Sequence, residues 1–160
     1  MDFLEKSALP KGVRVLDVGC GWGLGGIYCA KKYGATVTGA DIDPKVFPYL
    51  RLHAEINSVS VATILKGIDE LTYSFLKDVD VIIGADICFW DTLGGSLERL
   101  VGRALDTGVK LVLIADPGRL PFDKFGEELV HNMKGQMWTR TVQHPYFING
   151  KVLKIGSIHS

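Results

Sequence analysis

Short apolar runs alternate along this chain with longer segments in which apolar residues recur every three or four positions. The runs cover residues 13–18, 36–40, 61–65, 79–83 and 110–115. Brief apolar runs bounded by glycine, proline or polar residues are typical of buried strands, and the wider spacing is typical of amphipathic helices. Because strands and helices alternate, the pattern predicts a parallel sheet that is covered by helices on both faces.

The segment after the fourth run has the clearest helical pattern. Its apolar residues stand at positions i, i+3, i+4, i+7 and i+8, and they are Leu97, Leu100, Val101, Ala104 and Leu105. This spacing predicts that all of them lie on the buried face of one amphipathic helix. A second set, formed by Phe122, Phe125 and Leu129, predicts another helix after the fifth run.

Glycine and proline mark the ends of the earlier helices. A helix through residues 27–30 should end at Gly34, because glycine suits the position that follows a helix. Asp43 and Pro44 are typical of a helix start, as an N-cap residue followed by proline in the first turn. Pro48 then falls inside that helix, so the helix either begins later than Pro44 or is kinked.

The alternation changes near the C-terminus. Residues 137–144 and 151–158 are two strand-like runs with no helical pattern between them. Asn149 and Gly150 separate the runs, and both residue types tolerate the positive φ angles of a tight hairpin turn. We therefore predict one doubly wound α/β domain over residues 1–160, with about five parallel strands followed by an antiparallel β-hairpin.

A glycine-rich segment follows the first strand, with the sequence Asp-Val-Gly-Cys-Gly-Trp-Gly at residues 17–23. Glycines allow a sharp turn from strand to helix and let the backbone approach a ligand closely. Asp41, at the end of the second strand, suits the two hydroxyls of a ribose. Residues 21–26 also match G-x-G-x-x-G, with Asp41 twenty residues beyond Gly21, so the loop alone leaves a nicotinamide dinucleotide open.

Asp17 favours a different nucleoside cofactor. A carboxylate near the buried carboxyl end of a central strand is costly unless it has a partner. The pyrophosphate of a dinucleotide is itself anionic, whereas S-adenosylmethionine carries a cationic amino-acid end and a sulfonium that suit an acidic pocket. The alternative for Asp17 is a turn carboxylate satisfied by groups of the protein itself.

These features resemble the class I, or seven-β-strand, methyltransferases over nearly the whole chain. The loop matches their D-x-G-x-G-x-G motif, and the resemblance implies that it binds S-adenosylmethionine and its product S-adenosylhomocysteine through Asp17, Gly19, Cys20, Gly21, Trp22 and Gly23. Asp41 matches the ribose-binding acid and Ile42 the apolar residue beside the adenine. Ile68 and Asp69 match an adenine-contacting position more loosely, because Asp69 equally suits the cap of the next helix. The family fold is a Rossmann-like, mostly parallel seven-stranded sheet that ends in a hairpin.

The segment after the fourth strand resembles the D-x-x-Y motif of the protein-lysine methyltransferase branch. Asp86 is in place and Phe89 replaces the tyrosine, so the tyrosine hydroxyl is absent. Residues 116–119 are similar to a segment of the electron-transfer-flavoprotein β-subunit lysine methyltransferases, and residues 51–57 to a helix of that group and of the ribosomal-protein methyltransferases. The resemblance implies N-methylation of a protein lysine, with Asp86, Phe89 and Trp90 as acceptor-side residues and Asp86 also near the cofactor.

Several alternatives stay open from the residues alone. A small-molecule N- or O-methyltransferase has the same cofactor loop, and a nicotinamide-dependent oxidoreductase or a non-catalytic cofactor-binding protein would have a related one. Asp86 and Asp116, at the ends of the fourth and fifth strands, match two ligands of metal-dependent O-methyltransferases, but no third ligand is evident, so no metal is expected. The short segment before the first strand predicts an uncovered acceptor site, which suits a protruding side chain of a large substrate.

Composition narrows the class of partner. The 160 residues include 18 Lys plus Arg and 18 Asp plus Glu, so net charge gives no reason to expect a nucleic-acid or membrane partner. Residues 131–160 contain four bases and no acid, which favours solvated side chains on a sheet edge over a site for RNA. Three scattered cysteines and the lack of a signal-peptide pattern predict a cytoplasmic protein, as a monomer or a homodimer.

Overall fold

The structure, a computed structural model, describes residues 2–143 and 147–158. Its strands are β1 (Arg14–Val18), β2 (Thr36–Asp41), β3 (Ala62–Leu65), β4 (Val81–Ala85), β5 (Leu111–Asp116), β6 (Gln136–Val142) and β7 (Ile148–Gly156). Its helices are α1 (Asp2–Ser7), α2 (Leu24–Tyr33), α3 (Phe47–Ile56), α4 (Tyr73–Leu76), α5 (Asp91–Asp106) and α6 (Leu120–Met133). Two 3₁₀ turns cover Pro44–Val46 and Ile68–Glu70.

The strands form one seven-stranded sheet in the order β3-β2-β1-β4-β5-β7-β6. Strands β1 to β5 are parallel, and β7 is inserted antiparallel between β5 and β6. This arrangement confirms the predicted Rossmann-like fold with its terminal hairpin. The chain runs from β1 outward to β2 and β3, and then returns to β4 on the other side of β1. The carboxyl ends of β1 and β4 therefore border the crevice where ligands bind in open α/β sheets.

Helices cover both faces of the sheet. Helices α5 and α6 pack on one face, where Leu97, Leu100 and Phe122 are buried against Leu16 and Ile82. On the other face, α2 buries Cys29 and Tyr33 against apolar side chains of β1, β2, β4 and β5. The periodicity of α5 predicted its buried face except at one position. Leu105 is 38% exposed, because it lies at the edge of the apolar stripe, beside the exposed Asp106.

The two prolines after β2 belong to different elements. Asp43 caps the 3₁₀ turn that begins at Pro44, and its side chain accepts a hydrogen bond of 3.0 Å from the Lys45 N–H. Helix α3 then begins at Phe47, so Pro48 lies in its first turn, where no intrahelical N–H bond is lost. The helix begins later than Pro44, as one of the two sequence interpretations required.

The predicted hairpin turn at Asn149-Gly150 is wrong. Asn149 pairs with Thr141 and Gly150 with Arg140 inside the β6–β7 ladder, and the Thr141 hydroxyl donates to Asn149 Oδ1 at 2.7 Å. The chain reverses instead between β6 and β7, and the predicted strand end at His144 lies outside the described residues. An Asn-Gly pair permits a tight turn but does not impose one. The observed β6–β7 ladder continues past Asn149 and Gly150, so it has more backbone hydrogen bonds than a hairpin that turned at these two residues.

Replacing Leu97 with alanine should destabilise the fold by about 2–5 kcal/mol, because the side chain is fully buried and its loss leaves a cavity. Leu105→Ala is the matched control on the same helix and should cost less than about 1 kcal/mol. Urea unfolding of both variants measures the difference. Equal losses would contradict the assignment of the buried face of α5.

Candidate active site

The turn from β1 into α2 is formed by three glycines with left-handed backbone, at φ angles of 60° for Gly19, 49° for Gly21 and 78° for Gly23. A Cβ at Gly23 would lie 2.6 Å from the Leu50 side chain, and one at Gly19 would overlap Ile87. The Gly23 N–H donates to the Cys20 carbonyl at 2.7 Å and closes the turn. The loop therefore has no room for a side chain at Gly19 or Gly23, whereas the space beside Gly21 is open.

Asp17 lies in β1 directly beneath this loop and is buried. Its Oδ2 accepts a hydrogen bond of 2.9 Å from the Gly26 N–H, in the first turn of α2. Burial raises the pKa of Asp17 to about 7, the Gly26 hydrogen bond opposes the increase, and repulsion by Asp41 adds to it. The protein supplies one amide to this carboxylate and no cation among the described residues, so the charge is only partly balanced.

Asp41 closes the other side of the loop, at the end of β2. Its Oδ2 accepts from the Gly21 N–H and its Oδ1 from the Asp43 N–H, both at 3.0 Å. An ionised carboxylate has about four acceptor sites, so two backbone bonds leave room for hydroxyl donors. The structure thus brings Asp17 and Asp41 to the two sides of the glycine loop.

Two loop side chains point toward other parts of the protein. The Trp22 ring stacks on Tyr49 of α3 with 5.4 Å between ring centroids, and its edge meets His53. The Cys20 side chain is buried against Gly39. Burial raises the pKa of the Cys20 thiol to about 12, with smaller contributions from Asp17 and Asp41, so the thiol stays protonated at neutral pH.

The predicted adenine-side residues follow β2 and β3. Ile42 is exposed and lies against Gly67, which precedes Ile68 in the chain. The Asp69 carboxylate is held by α5, where it accepts from the Ser96 hydroxyl at 2.7 Å and from Arg99 in a bidentate pair at 3.0 Å. The Ser96 hydrogen bond, followed by Arg99, lowers the pKa of Asp69. The alternative role of Asp69 as the cap of the next helix is wrong, because Thr72 occupies that position before α4.

Asp86 follows β4 at the same edge of the sheet. Its backbone is left-handed, with a φ of 60°, and its N–H donates to the Ala115 carbonyl at 2.8 Å. The Asp86 side chain is 60% exposed and forms an ion pair with the Arg119 guanidinium. Its neighbour Ile87 packs on Gly19, so this segment adjoins the glycine loop directly.

Arg119 links the ends of β4 and β5. Its Nη1 contacts Asp116 Oδ2 at 2.8 Å, its Nη2 contacts Asp86, and its Cζ lies 4.4 Å from the centre of the Phe89 ring. The hydrogen bond to Asp86 is the largest cause of a raised Arg119 pKa. Arg119 was not among the predicted site residues.

Phe89 and Trp90 border the opening beside Asp86. Both rings are exposed, with Trp90 at 68%, and their centroids lie 5.7 Å apart. Neither ring is buried under α5, whose first residue follows Trp90.

A groove of about 980 Å³ reaches Asp86 and is bordered by α1 and by strands β5, β6 and β7. Its lining residues include Phe3, Lys6, Asp86, Asp116, Trp138 and Lys154. The groove is open to solvent, so a bulky ligand can reach Asp86 from this side.

Two kinds of feature are absent from residues 2–143 and 147–158. No group of three histidine, cysteine, aspartate or glutamate side chains there is arranged to hold a metal ion. Within the same residues, no helix is both long and apolar enough to cross a membrane.

Comparison with known proteins identifies the family of this chain. Residues 15–107 match the family described as a methyltransferase domain. The electron transfer flavoprotein beta subunit lysine methyltransferase of Danio rerio is 28% identical over 121 residues, which are 76% of this chain and 46% of that protein. The ubiquinone biosynthesis O-methyltransferase of Hahella chejuensis is 37% identical over 82 residues, which are 51% of this chain and 34% of that protein.

Solved structures share the fold. The tRNA (uracil-54, C5)-methyltransferase of Pyrococcus abyssi, in complex with S-adenosyl-L-homocysteine, superposes with a TM-score of 0.71 at 23% identity. The match covers 96% of this chain and 37% of that one. The chain thus spans less than half the length of the curated relatives described above.

The raised pKa of Asp17 predicts a pH-dependent stability for the ligand-free protein. Because the folded pKa of about 7 exceeds the ordinary value of 3.8, the protonated form favours folding. That stabilisation is fully present below pH ~4 and is lost as the pH rises through 7, by up to about 4 kcal/mol. Asp17→Asn should remove this dependence. In urea unfolding measured from pH 4 to pH 8, the free energy of unfolding of the variant should therefore increase relative to that of the wild type.

Asp69→Asn is the control for this experiment. The folded protein lowers the pKa of the Asp69 carboxyl, so the stability that Asp69 contributes is lost as the pH falls. This pH dependence is opposite in sign to that of Asp17. A difference between Asp17→Asn and wild type that stays constant with pH would contradict the assignment.

Proposed function

Because this chain belongs to the methyltransferase-domain family, we propose that it transfers the methyl group of S-adenosylmethionine to the side-chain nitrogen of a protein lysine. The observation that carries the proposal is that the Asp86 carboxylate and the exposed Phe89 ring, beside the glycine loop, both contact one cation, the Arg119 guanidinium. A carboxylate and an aromatic face together are what a cationic acceptor requires.

The glycine loop fits the cofactor. A Cβ at Gly21 would meet no protein atom within 4 Å, so the loop backbone is open there to close approach by a ligand. Asp17 is a buried carboxylate without a cationic partner among the described residues, and the cationic amino-acid end of S-adenosylmethionine would supply one. Asp41 would hold the ribose hydroxyls with its remaining acceptor sites. The bound cofactor supplies an activated methyl group on a positively charged sulfur.

The protein then needs to align the acceptor with that methyl group. Alignment of two reactants can contribute roughly 7–11 kcal/mol to lowering a barrier. Asp86 would accept a hydrogen bond from the lysine nitrogen and orient its lone pair, and Phe89 and Trp90 would exclude water around it. A lysine must lose its proton before it can attack, and the exposed Asp86 carboxylate offers a path for that proton to solvent.

Two further observations support a macromolecular acceptor. The groove of about 980 Å³ gives open access to Asp86, as a side chain protruding from a large surface requires. One of the relatives described above is named as a lysine methyltransferase, and its match covers 76% of this chain. The O-methyltransferase relative, which matches 51% of this chain, keeps methylation of a small-molecule hydroxyl as the second candidate.

Calorimetric titration with S-adenosylhomocysteine tests the cofactor end. Wild type should bind it, and Asp41→Asn should bind about tenfold to a hundredfold more weakly, because hydrogen bonds to a charged group contribute about 1.5–3 kcal/mol. Asp43→Asn is the matched control and should bind like wild type. Binding of NAD in place of S-adenosylhomocysteine would contradict the cofactor assignment.

Methyl-labelled S-adenosylmethionine, incubated with a protein extract, tests the acceptor end. We expect label in methylated lysine after hydrolysis, and a loss of at least about 100-fold for Asp86→Asn with S-adenosylhomocysteine affinity retained. Asparagine tolerates the left-handed backbone of Asp86, so the fold should persist. Asp91→Asn, a nearby exposed carboxylate, is the control. Label in small-molecule ethers instead would support the second candidate.

A further inference from the structure

We propose that the Arg119 guanidinium occupies the position where a lysine ammonium binds, before it loses its proton for methyl transfer, and that the acceptor must displace the guanidinium from Asp86. The inference rests on the proposed function, because it concerns the same acceptor site. It adds a specificity-determining residue that sequence motifs did not indicate.

The position of the guanidinium is that of a bound cationic ligand. One nitrogen, Nη2, pairs with Asp86 Oδ1, while Cζ lies 4.4 Å above the centre of the Phe89 ring. A lysine ammonium held by the same carboxylate and the same ring would overlap this guanidinium. The two cations therefore exclude each other.

Arg119 is anchored elsewhere, which allows a limited movement. Its Nη1 contacts Oδ2 of Asp116, whose side chain is fully buried. The other Asp116 oxygen accepts from the backbone N–H groups of Gly118 at 2.9 Å and Arg119 at 2.8 Å. Since the two carboxylates bind different nitrogens, the guanidinium can rotate away from Asp86 while it keeps the contact with Asp116.

The two ion pairs differ in strength. Asp86 is 60% exposed, so water screens its attraction to Arg119, whereas Asp116 is shielded from water. A competing cation therefore removes Arg119 from Asp86 at small cost and leaves the buried pair intact. A neutral acceptor offers Asp86 no charge in exchange, so the guanidinium stays. Arg119 thus selects cationic acceptors.

Nuclear magnetic resonance titration of the cofactor-free protein with n-butylammonium, a lysine side-chain probe, tests this inference. In wild type, the probe should shift the Asp86 amide and the Phe89 ring protons. The Arg119 δ-protons should shift downfield at the same concentrations, as they leave the face of the ring. A probe that shifts Phe89 without moving the Arg119 signals would overturn the inference.

Variants give a second measurement. Arg119→Gln should bind n-butylammonium at least tenfold more tightly than wild type, because the competing cation is gone, while Arg119→Lys keeps the charge and should stay within a few-fold of wild type. Arg14→Gln, which removes an exposed arginine at the far end of β1, should match wild type. Affinity for n-butanol, which cannot displace a cation from Asp86, should rise by a larger factor than amine affinity in Arg119→Gln and should stay weak in the other three proteins. Equal or weaker amine binding by Arg119→Gln would refute the competition.

The outcomes separate this inference from the proposed function. If wild type and Arg119→Gln bind the amine equally well, Arg119 is not a competitor, and lysine methylation still stands. If neither protein binds the amine although both bind S-adenosylhomocysteine, the site does not accept a lysine-like cation, and the inference falls together with the proposed acceptor. S-adenosylhomocysteine binding by Arg119→Gln also reports that the variant is folded.

Discussion

The whole site depends on the absence of side chains at the turn between β1 and α2. A Cβ at Gly26 would lie 2.8 Å from Val37 and 3.0 Å from Asp17 Oδ2, while one at Gly19 would overlap Ile87. These close approaches draw α2 onto β1 and β2 and bring the segment after β4 against the loop. The glycine loop and the Asp86 carboxylate are neighbours because only hydrogen atoms separate the elements that carry them.

Charge is distributed differently at the two ends of the site. Asp17 is buried without a cation among the described residues, so its ionisation is disfavoured until a positive ligand arrives. Asp86 and Asp116 are instead bridged by Arg119, which balances them in the absence of any ligand. In the proposed function, a cationic cofactor completes one end, while a cationic acceptor competes at the other.

Apolar periodicity was enough to predict the strands β1 to β5, the helices α5 and α6 and the parallel sheet, because burial decides those elements. Helix α1 is too short to show a period, and it was not predicted. The hairpin turn was misplaced because strand register, rather than the Asn-Gly pair, determines where the chain reverses. The glycine motif indicated the loop, but the partners of Asp69 and the contacts of Arg119 join distant segments, and no local pattern contains them.

The left-handed backbone at Asp86 has a consequence for protein engineering. A non-glycine residue at a φ of 60° carries a steric penalty, of roughly 1–2 kcal/mol, that glycine would avoid. A design procedure that optimises thermal stability alone would therefore favour glycine at this position and would discard the carboxylate. In the proposed function this carboxylate orients the acceptor, so stability and turnover favour different residues at position 86, and stabilising libraries of this protein should keep the aspartate.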